Sequence, residues 1–139
     1  MVINNSWSLV DLPGYGYAKI SKTKKAEILK MTREYFLQRG KQLAAVFFLI
    51  DIRIPPQKID LEWMEWLVKN QIYFIRIFTK SDNVNANKVL QKIKEYNKHM
   101  NDNCWNKVPE SITTSSKKRI GKDEILEKII QMNTLFQNM

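Results

Sequence analysis

The chain has 139 residues, 44% hydrophobic and 27% charged, with 23 Lys and Arg against 14 Asp and Glu and a formal net charge of +9. This composition fits a single domain over 1–139 with a real core and excludes a disordered chain. Its longest apolar runs are strand length, which excludes a membrane-spanning helix and argues against a membrane partner. The first residues show no basic segment followed by an apolar core, so no secretory leader is expected. The basic excess suits a polyanionic partner, nucleic acid ahead of lipid, because no helix pairs a strongly apolar face with a basic one. A solvated basic surface gives the same composition. The single cysteine, Cys104, cannot form an internal disulfide and suits a reducing compartment. It reads as a passive thiol near a helix end. His99 has no second ligand type at metal spacing and reads as a surface residue.

In chain order, Trp7-Ser8-Leu9-Val10 reads as a strand that delivers Asp11 into the turn Leu12-Pro13-Gly14. Pro fixes one backbone angle there, and Gly14 and Gly16 permit positive φ. Lys19 to Arg39 reads as a helix, with Ile28, Thr32, Tyr35 and Phe36 on one face and Gly40 as its stop. Lys22, Lys24, Lys25, Lys30 and Arg33 make most of the rest of that helix basic. Ala44 to Ile50 is a continuous apolar run ending at Asp51, as in a strand covered on both faces. Pro55-Pro56 breaks the chain and opens a helix whose buried stripe is Ile59, Trp63, Trp66 and Leu67. Ile72 to Phe78 reads as the next strand and leads into Thr79-Lys80-Ser81-Asp82. A helix from about Asn85 carries Ala86, Val89, Leu90, Ile93, Tyr96 and Met100 in register. Asn101 to Asn106 is a polar connection, and Val108 to Thr114 a last strand interrupted by Pro109. Gly121-Lys122-Asp123 precedes a closing helix with Ile125, Leu126, Ile129 and Ile130 on one face and Asp123 as the expected N-cap. Strand and helix alternate, which predicts an α/β fold with a mostly parallel sheet and helices on both faces.

Three stretches carry chemistry: Asp11-Leu12-Pro13-Gly14, Thr79-Lys80-Ser81-Asp82, and Thr114-Ser115-Ser116-Lys117. Each follows a predicted strand, and a parallel sheet brings such ends to one edge. Asp82 offers two acceptor oxygens, matching the adjacent ring N–H and exocyclic amine of guanine, a pair that adenine does not present. The Lys80 stem can lie along a base plane. Backbone N–H groups at Ser115 and Ser116 can reach a base carbonyl oxygen. Asp11 is placed for a magnesium-bound water and the Gly14 N–H for a terminal phosphate.

In order and setting, these stretches resemble the third, fourth and fifth signatures of Ras-like GTPases. Asp11 to Lys19, Leu49 to Arg53, Asp60, Trp66-Leu67, Thr79 to Asp82, and Ser115 to Lys118 before Gly121 together resemble the EngB family. That resemblance covers nearly the whole chain. It implies a three-layer P-loop NTPase (Ras-like) fold and binding of GTP and GDP with Mg2+. It further implies GTP hydrolysis, a cytoplasmic monomer, and roles in cell division, or septation, and in assembly of the large ribosomal subunit. It assigns Asp11, Leu12, Pro13, Gly14, Thr79, Lys80, Ser81, Asp82, Thr114, Ser115 and Ser116 to nucleotide binding and Asp11 to Mg2+ through water. Lys22, Lys24, Lys25, Lys117, Lys118 and Arg119 are candidate contacts to ribosomal RNA through phosphates.

The chain departs from the family pattern in three ways. Asn83 stands where the family has Lys, and Ile54 where it commonly has His. No Gly-x-x-x-x-Gly-Lys-Ser/Thr stretch occurs, so the chain is expected to lack the first strand, phosphate loop and first helix of such a domain. The position after Gly14, where Ras-type enzymes carry a water-orienting Gln, holds Tyr15, and no catalytic residue is assigned. The expectation is therefore the C-terminal three-quarters or so of an EngB-type domain, inactive alone. The rival readings are a non-hydrolysing basic module on ribosomal RNA and an inactive fragment.

Overall fold

A computed structural model describes residues 2–3, 7–12, 14 and 21–138. The chain divides into two compact units, Met1–Leu43 and Ala44–Met139.

In the first unit, β1 (Val2–Ile3) pairs antiparallel with β2 (Trp7–Ser8). The strand expected over Trp7 to Val10 thus ends at Ser8, with Leu9 and Val10 exposed. The helix expected from Lys19 is α1 (Lys22–Arg39) in the described residues. Ser21 caps it by accepting the Lys24 N–H at 3.2 Å. The expected face is the sheltered one: Phe36 is buried, and Ile28, Thr32 and Tyr35 are half-buried. Gly40 caps the C-terminus with right-handed backbone angles, and a 3-10 turn over Gly40–Gln42 follows.

The second unit holds a three-stranded parallel sheet in the order β3 (Val46–Asp51), β4 (Phe74–Thr79), β5 (Ser111–Thr113). Between the strands run α2 (Lys58–Lys69) and α3 (Ala86–Asp102), and α4 (Lys122–Gln137) closes the chain. β4 is central, and all but its last residue are buried. Its alternation divides the core in two. Ile75 and Ile77 pack with Ile112, Phe47 and Ile125 of α4 on one face. On the other, Phe78 stacks edge-on against Tyr96 of α3 at 5.3 Å, and Phe74 lies beside Phe48. Helices on both faces follow from that two-sided apolar strand.

Three expectations are corrected. Gly121, not Asp123, is the N-cap of α4, and Asp123 lies in its first turn. Gly121 has φ +83, and a side chain there would meet the Thr113 carbonyl oxygen, so the turn admits glycine alone. Ala86 and Leu90 of α3 and Leu126 and Ile130 of α4 are exposed, because each helix turns a narrower stripe to the sheet than its run of apolar residues suggests.

Arg76, in the middle of β4, is 1% exposed. Its guanidinium donates to the Pro109 carbonyl at 2.6 and 3.1 Å and to Asn97 Oδ1 at 2.7 Å. It also lies over the rings of Phe78 and Tyr96. Burial lowers its pKa to about 10, yet it remains charged at neutral pH. It ties β4 to α3 and to the segment before β5.

Candidate functional site

The carboxyl ends of β3, β4 and β5 lie side by side because the three strands are parallel and in register. Asp51 ends β3, Thr79 ends β4, and Thr114 follows β5. Polar residues collect here because the next turns need side chains and backbone groups that bond one another at the sheet edge.

After β4, the Thr79 hydroxyl donates to the Ile50 carbonyl at 3.3 Å. Lys80 then takes a left-handed conformation, φ 60, which starts a 3-10 turn over Ser81–Asn83. The Ser81 N–H donates to the Thr114 carbonyl at 3.2 Å and so fastens this turn to the one after β5. The Ser81 hydroxyl is buried and has no hydrogen-bond partner among the described residues.

After β5, the Thr114 N–H and hydroxyl both donate to the Phe78 carbonyl, at 2.7 and 3.2 Å. Ser115 is 1% exposed, and its hydroxyl donates to Asp82 Oδ1 at 2.6 Å across 33 residues of sequence. The Lys118 N–H donates to the same hydroxyl oxygen. Reciprocal backbone bonds between Ser115 and Ile120 close the intervening loop. The Ser115 bond holds the Asp82 carboxyl below its usual range, with smaller contributions from the Lys117 and Lys118 charges. Asp82 is therefore a carboxylate at neutral pH, and no cation forms an ion pair with it among the described residues. The exposed Lys117 and Lys118, expected as RNA contacts, lie near enough to act on this acid.

The second unit thus brings together Thr79, Lys80, Ser81, Asp82, Thr114 and Ser115, with Ser116 exposed beside them. Asp11 and Gly14, both exposed, and the half-buried Leu12 belong to the first unit, as do the exposed Lys22 and Lys24 and the half-buried Lys25. Pro13 and Tyr15 lie outside the described residues. Arg119 is exposed with φ 54. Among the described residues, no group of three or more His, Cys, Asp or Glu could hold a metal ion. No helix among the described residues is long and apolar enough to cross a membrane.

Sequence reasoning gave no role to Asp51 and Arg53. Asp51 accepts from Arg53 Nη2 at 2.7 Å and Nε at 3.0 Å and from the Arg53 backbone N–H at 3.0 Å, with Lys80 Nζ at 3.3 Å. The signal was present, since Asp51 ends an apolar run just as Asp11 does.

No family profile matches the chain. It is 46% identical over 137 residues to a Flavobacterium johnsoniae protein named "Probable GTP-binding protein EngB", covering 98% of this chain and 65% of that protein. A Phocaeicola vulgatus protein of the same name is 43% identical, over 95% of this chain and 65% of its own length. The chain thus spans a little under two thirds of these relatives. Among solved structures, translation elongation factor SelB from Methanococcus maripaludis, in its apo form, superposes with a TM-score of 0.67. It is 23% identical, over 91% of this chain and 25% of that one. That likeness bears on fold alone, an α/β fold with a parallel sheet and helices as expected from the sequence.

Proposed function

This chain belongs to the EngB family of GTP-binding proteins, and we propose that its second unit supplies the guanine-reading half of a GTP and GDP site. One observation carries the reading: the Asp82 carboxylate, at the carboxyl end of the central strand, is aimed by the buried Ser115 hydroxyl and forms no ion pair among the described residues. A carboxylate so held presents acceptors to the two adjacent donors of guanine. The Lys80 stem would lie along the base and the Ser116 backbone N–H would meet its carbonyl oxygen, whereas the Ser115 N–H, also expected there, is taken by the Ile120 carbonyl. For the first unit, the family resemblance assigns Asp11 and Gly14 to phosphate contacts, Asp11 through a water on Mg2+. When bound, that ion neutralises charge on the phosphates.

The test is Asp82→Asn, read as the ratio of guanosine to xanthosine diphosphate binding by NMR titration. The amide sets a donor against the guanine amine, whereas xanthine carries a carbonyl there. Guanine binding should weaken by about 2–3 kcal/mol and xanthine binding should rise. Unchanged guanine preference would remove Asp82 from the base site.

We further propose a cytoplasmic protein that acts on the large ribosomal subunit or its precursor, in keeping with a role in cell division. Support comes from the net charge of +9 and from Lys22, Lys24, Lys117, Lys118 and Arg119, all exposed. Charge reversal at Lys24 and Lys25 to Glu should weaken co-sedimentation with large-subunit particles and flatten its salt dependence. Equal sedimentation of both proteins across a salt series would leave these lysines as a solvated face.

A further inference from the structure

Asp51 stands where β3 ends, one strand away from the base-reading turn, and is paired in register with Thr79. Its side chain is only 15% exposed, whereas those of Arg53 and Lys80 are 46% and 55% exposed. Arg53 approaches it as a fork, with Nε 3.0 Å from Oδ1 and Nη2 2.7 Å from Oδ2, while the Arg53 backbone N–H also holds Oδ1. This fixes the carboxylate plane. Oδ2 then faces Lys80 Nζ at 3.3 Å. Lys80 occupies the left-handed position from which the Ser81–Asn83 turn begins. A long, half-exposed lysine chain would otherwise sample many rotamers.

We propose that Asp51, oriented by Arg53, is a positioning residue for guanine recognition, pinning the Lys80 ammonium so that the lysine stem forms one wall of the base site. The inference rests on the guanine reading above. Asp51 touches no base, and its effect passes through Lys80. Arg53 holds the carboxylate in the one orientation that serves the lysine. The same grip keeps the Arg53 guanidinium on Asp51 although Asp82 also attracts it electrostatically.

The test is a double-mutant cycle on the chain, with guanosine diphosphate titrated and backbone amide shifts of residues 79–82 and 115 followed by NMR; adenosine diphosphate is the control. Asp51→Asn and Lys80→Met should each weaken guanosine diphosphate binding by about tenfold, and the double variant should bind no worse than Lys80→Met alone. Arg53→Gln, at a half-exposed site that tolerates change, should cost about threefold and keep the fold, so a poorly folded Asp51→Asn does not end the experiment. Additive losses from Asp51→Asn and Lys80→Met, or full affinity in Arg53→Gln and Asp51→Asn, would overturn the inference while leaving the guanine reading intact. An unsubstituted chain showing no shift specific to guanosine diphosphate would overturn both.

Discussion

Asp51 and Asp82 lie at the carboxyl end of one parallel sheet, on neighbouring strand ends, yet their surroundings are opposite. Asp51 is gripped by a guanidinium fork, a backbone N–H and an ammonium. Asp82 takes a short bond from a neutral hydroxyl and a contribution from its own backbone N–H, with two lysine charges near but not paired among the described residues. Both carboxyls titrate below their usual range, Asp51 through Arg53 first and Asp82 through Ser115 first. The difference lies in what is left to offer. A carboxylate saturated by cations fastens its neighbours, whereas one steadied by a hydroxyl keeps acceptor capacity for a ligand. Sequence type does not separate these roles, since both are aspartates following apolar strands.

The largest expected effect comes from breaking the Asp82 side alone. Gly121→Ala places a Cβ against the Thr113 carbonyl at a position with φ +83. The backbone must move, and the nearest structure to move is the loop closed by Ser115 and Ile120. Stability should fall by about 2 kcal/mol or more, read as a lower denaturation midpoint with an unchanged slope. Amide shifts of 114–120 should move, while those of 51–53 stay, because among the described residues the Asp51 and Arg53 side chains bond to each other and to Lys80. A midpoint equal to that of the unsubstituted chain would show that the turn has room for a side chain.

Much of this arrangement was legible in the sequence, because the strands are short apolar runs and each run ends in a polar, turn-forming cluster. The α/β alternation and the meeting of Thr79–Asp82 with Thr114–Ser115 follow from that pattern, whereas the central place of residues 74–79 does not. What was not legible depends on contacts between distant residues. Arg76 interrupts an apolar strand with a charge, but the Pro109 carbonyl and Asn97 supply acceptors that let it be buried. Leu90 and Ile130 fit a helical apolar stripe, yet a three-stranded sheet is too narrow to cover them. The Asp123 cap was misread because a left-handed glycine can begin a helix without any side-chain cap. Asp51 went unassigned because Lys80 reaches it through the register of two strands, which spacing along one segment does not show, although Arg53 stands only two residues on.

The smallest expected effect sharpens the comparison by removing one atom. Ser115→Ala deletes the hydroxyl that donates to Asp82 and accepts from the Lys118 N–H. Ser115 is buried, so the Lys118 N–H loses a sheltered acceptor, and stability should fall by about 1 kcal/mol. The informative readout is acid titration of the two carboxyls followed by their carbon shifts. A carboxyl depressed in the folded state contributes stability above its unfolded value, near 3.9, and that stability is lost as pH falls through the folded value. In the unsubstituted chain Asp51 should be the later of the two to protonate on acidification, since it is held by cations. In Ser115→Ala the Asp82 titration should move up toward the ordinary range, because its first cause of depression is gone and only the lysines and its own backbone N–H remain. The Asp51 curve should not move, as none of its partners is touched. A shift in both curves would mean that the two aspartates share one network, and the division between a fastening acid and a reading acid would fall.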